Sequence, residues 1–168
     1  LLSNNILEKY PHLVVMKSIS KSYGVPGLRL GILACSNGRL IEEIKKDVPI
    51  WNINSFAEFY MQIFGKYESD YKKACKKFIQ ERERFYDALL QIEYLRIIPS
   101  QANYFLCEVL SPYTSSELSK FLLKKNILIK NCSTKGAFAG RNYIRLAVRD
   151  KMDNDRLVDG LKEMNICL

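Results

Sequence analysis

The stretch Ser18-Ile19-Ser20-Lys21-Ser22-Tyr23-Gly24-Val25-Pro26-Gly27-Leu28-Arg29-Leu30-Gly31 gathers hydroxyls, one lysine, three glycines and an arginine behind an apolar run. These are the parts of an anion cradle built around a reactive amine. A primary amine attacks a carbonyl only in its unprotonated form, which burial or a nearby cation favours. Ser18 and Ser20 can donate to phosphate oxygens, and the planar guanidinium of Arg29 can grip a phosphate at two points. Gly24, Gly27 and Gly31 permit backbone conformations and close approaches that a side chain would block. An isolated Ser-X-Ser-Lys is more often a polar loop with a solvated lysine. The ordered set of Lys21, glycines and Arg29 behind a strand favours a functional loop over that plain reading, and each residue type has a reason to be there if the ligand is a phosphorylated aldehyde.

The elements around this loop follow from local pattern. Leu13-Val14-Val15-Met16 is short, apolar and bounded by Pro11, which predicts a buried parallel strand with Lys21 at its exit. Leu30 to Cys35 predicts a second buried strand, with Ser36-Asn37-Gly38 as its turn. A helix is expected from about Arg39 to Lys46, stopping near Pro49. Asn54 or Ser55 is placed to cap a helix that runs from Phe56 to about Phe64. The spacing of Tyr71, Ala74, Phe78, Phe85 and Leu89 predicts a separate amphipathic helix from about Asp70 to Gln91. Strands at 95–98 and 104–109, a helix at 115–125, strands at 127–130 and 143–148 and a helix at 153–164 complete an α/β sandwich. A second chemical cluster lies here, in Asn142-Tyr143-Ile144-Arg145-Leu146-Ala147-Val148-Arg149.

The Ser18 to Gly31 segment resembles the cofactor-lysine motif of the fold-type I pyridoxal phosphate enzymes. Within the class I/II aminotransferase superfamily it is similar to the branch that holds histidinol-phosphate aminotransferases and threonine-phosphate decarboxylases. The resemblance implies that Lys21 carries pyridoxal 5'-phosphate as an imine and acts as general acid and base. It implies that Arg29, eight residues on, binds the cofactor phosphate together with Ser18 and Ser20. On the 142–149 strand it gives Arg145 the substrate α-carboxylate; a bidentate guanidinium there sets which bond at Cα stands perpendicular to the cofactor ring. The plain reading of Arg145 alone is an arginine on a surface strand. Lys130 falls where the branch usually has an arginine that reads a distal phosphate, and lysine keeps the charge but loses the fork. Asn103, within Pro99-Ser100-Gln101-Ala102-Asn103-Tyr104, is equally a substrate contact or a turn residue. Arg149 stands where the aminotransferases usually carry glycine, and an exposed ion pair with Asp150 or Asp153 is its plain reading. Tyr23, Trp51 and Asn52 are expected to pack near the cofactor, with core burial the default for Trp51.

The fold implied is α/β: residues 1–69 as the C-terminal part of the large cofactor-binding domain and 70–168 as the small C-terminal domain, joined by a connecting helix at about 70–91. The activity implied is a biosynthetic aminotransferase passing an amino group between an amino acid or phosphorylated amine and a keto acid. A threonine-phosphate-type decarboxylase and a non-catalytic truncated domain are the alternatives. At 168 residues the chain is about half the length expected of such an enzyme. The groups that stack on the cofactor ring and hold its nitrogen are therefore expected upstream, where a fused further domain is also conceivable. The resemblance further implies a homodimer for the intact protein, and the cysteine pattern suits a cytoplasmic one.

Composition narrows the remaining classes. The formal net charge of +8 raises the question of nucleic acid. The lysines, however, are dispersed among acids, and the aromatic residues between them have the spacing of a helix stripe, so no nucleic-acid partner is expected. The five cysteines are odd in number and widely separated, as in reduced core thiols, and with His12 as the only histidine no metal site is expected. No apolar run approaches the roughly 20 residues needed to cross a bilayer.

Overall fold

The structure, a computed structural model, describes residues 4–164. It divides into two compact units, Leu1–Lys73 and Ala74–Leu168.

In the first unit, helix α1 (Asn4–Lys9) precedes strand β1 (Val15–Ser18), the single helical turn α2 (Ile19–Ser22) and a 3-10 turn at Pro26–Leu28. Strand β2 (Gly31–Ala34), helix α3 (Gly38–Lys46) and the first part of helix α4 (Ser55–Leu89) follow. β1 pairs with β2 in antiparallel register, from Val15 opposite Ala34 to Ser18 opposite Gly31. This corrects the expectation of a buried parallel strand. The two turns between the strands reverse the chain, whereas a parallel neighbour would need a returning crossover. β1 is also largely exposed, with Met16 at 80%.

Short polar side chains open the helices as their types predict. The Asn37 side chain accepts the Leu40 N–H (3.2 Å), and the Asn54 side chain accepts the Ala57 N–H (3.0 Å). Where two helices were expected, α4 runs unbroken for 35 residues, about 52 Å at 1.5 Å per residue. The segment Gly65-Lys66-Tyr67-Glu68-Ser69 is exposed and lacks an apolar stripe, so it reads as a break. Yet it contains no proline, and glycine costs a helix only about 1 kcal/mol relative to alanine. A Glu68–Lys72 ion pair one turn apart (2.8 Å) spans the same stretch.

The second unit is a sheet of β3 (Leu95–Ile98), β4 (Tyr104–Val109), β5 (Lys130–Asn131) and β6 (Tyr143–Ala147), in the order β3-β4-β6-β5 with every neighbour antiparallel. Strict alternation sends Leu95, Ile97, Phe105, Cys107, Val109, Ile144 and Leu146 to one face. There they form a single core with Phe85 and Leu89 of α4, Leu118 and Leu122 of α5 (Ser115–Lys124), and Leu157 and Leu161 of α6 (Lys151–Met164). Each large side chain fully buried in it contributes roughly 1.5–3 kcal/mol. Burial pushes the Cys107 thiol up to about 12, which suits an inert core thiol. Cys35, Cys75 and Cys132 are also free thiols, and Cys167 lies outside the described residues. β5 is shorter than expected: Ile127 and Ile129 pack against the core, but Leu128 is exposed and none of the three joins the ladder.

At the start of α5, Thr114 accepts the Glu117 N–H (3.2 Å) while the Glu117 carboxylate accepts the Thr114 N–H (3.0 Å) and hydroxyl (2.8 Å). Those bonds hold the Glu117 carboxyl below its ordinary 4.5. A carboxyl lowered by folding stabilises the fold above its unfolded value and loses that contribution as pH falls through its folded value. Thr114→Ala is expected to lower stability by about 1 kcal/mol at neutral pH. The gap in urea midpoint from wild type should narrow as pH drops below 4.5, leaving only the part due to the Glu117 N–H bond; a gap independent of pH would contradict the carboxylate's part in the cap.

Candidate active site

Ser18 ends β1 with extended backbone (φ −76°, ψ 124°) and caps α2 without a side-chain cap bond. Lys21 lies on that single turn and is exposed, as are Ser18 and Arg29; Ser20 is buried. The loop from 19 to 30 is closed by backbone bonds. Ile19 N–H donates to the Leu30 carbonyl (3.3 Å) and Val25 N–H to the Ser20 carbonyl (3.0 Å). Asn54 ties in α4 by donating to the Leu28 carbonyl (3.0 Å).

Only one of the three loop glycines uses glycine's freedom. Gly24 has φ +67°, whereas Gly27 has no such angle and open space around it, and a side chain at Gly31 would meet only ordinary contact with the Lys17 carbonyl (3.6 Å). A second left-handed position falls on Arg29 itself (φ 56°), whose Nη1 donates to the Pro26 carbonyl (3.4 Å). A side-chain-bearing residue there costs about 1–2 kcal/mol, and such strain concentrates at sites where a side chain must be aimed. Nothing in the sequence pattern marks it, because glycines stand on either side to take the turn.

In the second unit Arg145 projects from the sheet face opposite the core. It stands across from Leu106 on β4 and from Lys130 on β5. Its guanidinium lies over the Tyr104 ring, 5.2 Å from the centroid, a contact typically contributing about 0.5–1 kcal/mol when exposed. Lys130, Arg145, Arg149 and Arg156 line a hollow of about 770 Å³, with Asp153 among its walls. Arg149 pairs with Asp153, which holds its guanidinium above its ordinary value. Asn103 is exposed at the bend entering β4 and is not among the residues lining that hollow; its carbonyl accepts the Val148 N–H (2.9 Å).

Sequence pattern misses the support beneath β6. Asn154, 1% exposed, accepts the Arg149 N–H (3.0 Å) and donates to the Arg149 carbonyl (3.0 Å) and to Glu81 (2.7 Å). Arg84 grips Glu81 with two bonds (2.9 and 2.7 Å), holding that carboxyl below its usual range, and reaches Asp155 (2.7 Å). The strand exit is thereby tied to α4 and α6. The burial expected of Trp51 is not found. It is 92% exposed beside Ile50 at 91%, in the turn before α4, with no described residue packed over it. Asn52 is exposed too, and Tyr23 is half-buried in an aromatic cluster.

Residues 5–161 match the family Aminotransferase class I and II. The chain belongs to that family. It is 30% identical over 159 residues to the CMP-5'-(3-aminopropyl)phosphonate synthase of Streptomyces rubellomurinus, covering 94% of this chain and 25% of that protein. It is 32% identical over 167 residues to an L-serine phosphate decarboxylase of Sulfurospirillum multivorans, covering 97% of this chain and 42% of that one. The histidinol-phosphate aminotransferase structure from Clostridium acetobutylicum superposes with a TM-score of 0.85 at 27% identity, over 98% of this chain and 49% of that chain. The chain thus spans less than half the length of these relatives. The fold is the fold-type I α/β architecture, and the class I and II aminotransferases depend on pyridoxal phosphate.

The donor set suits that cofactor. An exposed lysine amine, a hydroxyl with no cap bond and an exposed guanidinium flank one closed loop, matching an aldehyde and a phosphate. Among the described residues no cluster of three His, Cys, Asp or Glu could hold a metal ion, and no helix is long and apolar enough to cross a membrane.

The loop's backbone is testable by itself. Gly24→Ala, forced to φ +67°, is expected to cost about 1 kcal/mol, whereas Gly27→Ala should be neutral or slightly stabilising. Equal denaturation midpoints for the two variants would contradict the left-handed turn at Gly24.

Proposed function

We propose that this chain carries the lysine-bearing and substrate-anion-binding parts of a pyridoxal-phosphate aminotransferase that moves an amino group between an amino acid or phosphorylated amine and a keto acid. The observation that carries the proposal is the closed loop of the first unit, which holds Lys21 on a single turn and Arg29 in a left-handed conformation near its far end. Lys21 would bind the cofactor's aldehyde carbon through Nζ and move a proton at the substrate's α-carbon. Ser18 and Arg29 would hold the cofactor phosphate, with Ser20 supporting the turn from its buried position. When bound, pyridoxal phosphate supplies the electron sink for the bond broken at Cα.

Arg145 would take the substrate α-carboxylate in a bidentate pair. Lys130, its cross-strand neighbour, would take a second anionic group as a point charge. Asn103 would contact the substrate through its exposed side chain. The reading places the cofactor-binding part of the large domain at 1–69 and the small domain at 70–168. It also expects small-molecule donor and acceptor substrates, a cytoplasmic location and a homodimer. The exposed Ile50, Trp51, Phe56 and Phe59 support further protein surface around the first unit.

Decarboxylation of a phosphorylated amino acid is the second reading, favoured by the 32% identity to an L-serine phosphate decarboxylase. The two reactions differ in which bond at Cα is broken. Incubating the full protein with O-phosphoserine, O-phosphothreonine or histidinol phosphate, with and without 2-oxoglutarate, separates them. Glutamate formation that needs 2-oxoglutarate supports transamination, and carbon dioxide release without it supports decarboxylation. Arg145→Gln is expected to raise KM for a carboxylate-bearing substrate by at least ten-fold, the loss of a charge-assisted bidentate contact. Unchanged KM would remove Arg145 from the site.

A further inference from the structure

We infer that Tyr71 is a positioning residue for Lys21, acting through the single turn α2; this rests on the reading of Lys21 as the cofactor lysine. A four-residue helical turn cannot hold itself, because one or two backbone bonds do not offset the entropy of ordering it. α2 must be fixed from outside. Its start is fixed by the Ile19 N–H bond to the Leu30 carbonyl, which continues the β1–β2 ladder.

At its end, the Tyr71 hydroxyl donates to the Ser22 carbonyl (3.0 Å). That is one of the carbonyls a helix end leaves without an intrahelical partner. The Tyr23 ring stacks on the Tyr71 ring, centroids 4.7 Å apart and planes 12° apart. Phe64 meets both rings edge-on, at 5.1 Å from Tyr23 and 5.8 Å from Tyr71. Phe64 and Tyr71 are seven residues apart on α4 and so share one face. Residues 22 and 23 are thereby held on both the polar and the aromatic side, and Lys21 is the residue immediately before them. The Ser22 bond and the Tyr23 ring stack are the contacts through which Tyr71 acts on the lysine turn.

Absorbance titration of the full protein with pyridoxal phosphate, in a double-mutant cycle, tests this. Tyr71→Phe keeps the ring stack and removes the hydroxyl, and is expected to weaken binding about five-fold, the loss of one ordinary hydrogen bond. Tyr71→Ala should weaken it more than ten-fold. In a Lys21→Ala background, where binding is non-covalent, Tyr71→Phe should change affinity less than two-fold. An equal loss in both backgrounds would make Tyr71 a merely structural residue and overturn the inference, as would full affinity in Tyr71→Phe. Wild-type protein with no affinity for pyridoxal phosphate would instead overturn the cofactor reading. The hold on the turn is checked separately in the cofactor-free protein. Amide exchange at Tyr23, Gly24 and Val25 should accelerate at least ten-fold in Tyr71→Ala with exchange in β4 unchanged, and equal rates at residues 23–25 would overturn the inference whatever the cofactor does.

Discussion

The antiparallel pairing of β1 with β2 is the constraint on which the first unit depends. With Ser18 fixed opposite Gly31, the chain between them must leave one strand, reverse and enter the other. That geometry leaves room for one helical turn and one 3-10 turn. It places the lysine at the first reversal and forces left-handed backbone at Gly24 and Arg29. A ladder of four residue pairs cannot alone rigidify a loop three times as long. Additional ties come from α4, through the Asn54 bond to Leu28 and the aromatic contacts of Tyr71 and Phe64 with Tyr23.

A different rule organises the second unit. The period of two along β4 and β6 separates a fully apolar face from one carrying Tyr104, Arg145 and, across the ladder, Lys130. The same alternation that buries Ile144 and Leu146 therefore exposes Arg145 between them. A one-residue slip of β6 would bury the guanidinium and expose the core, so packing fixes the arginine's placement as firmly as any contact made by the arginine itself. Asn154 closes the strand's exit by pairing with both backbone groups of Arg149, and its partner Glu81 is in turn held by Arg84.

Much of this was legible in the residues. Local signals named Asn54 or Ser55 as the cap of α4, the strands at 95–98, 104–109 and 143–148, the last one residue longer than the observed β6, and the apolar stripe through Phe78, Phe85 and Leu89. The parts that were not legible depend on partners distant in the chain or on weak local penalties. Pairing direction cannot be read from the apolar run 13–16, which looks the same in either orientation. The continuity of α4 through Gly65 was hidden because an exposed stretch carries no stripe. The left-handed Arg29 was masked by neighbouring glycines, and the exposure of Trp51 runs against the usual behaviour of an indole. Asn154 gave no signal, since a buried asparagine is recognisable only once the groups it satisfies are in place.

The central claim is that Lys21 is the residue that holds the cofactor. Borohydride reduction of the full protein with pyridoxal phosphate, followed by peptide mapping of the reduced adduct, tests it most directly. The account predicts a single modified peptide containing Lys21, absent in Lys21→Ala. Modification scattered over surface lysines, or a single label elsewhere, would contradict it.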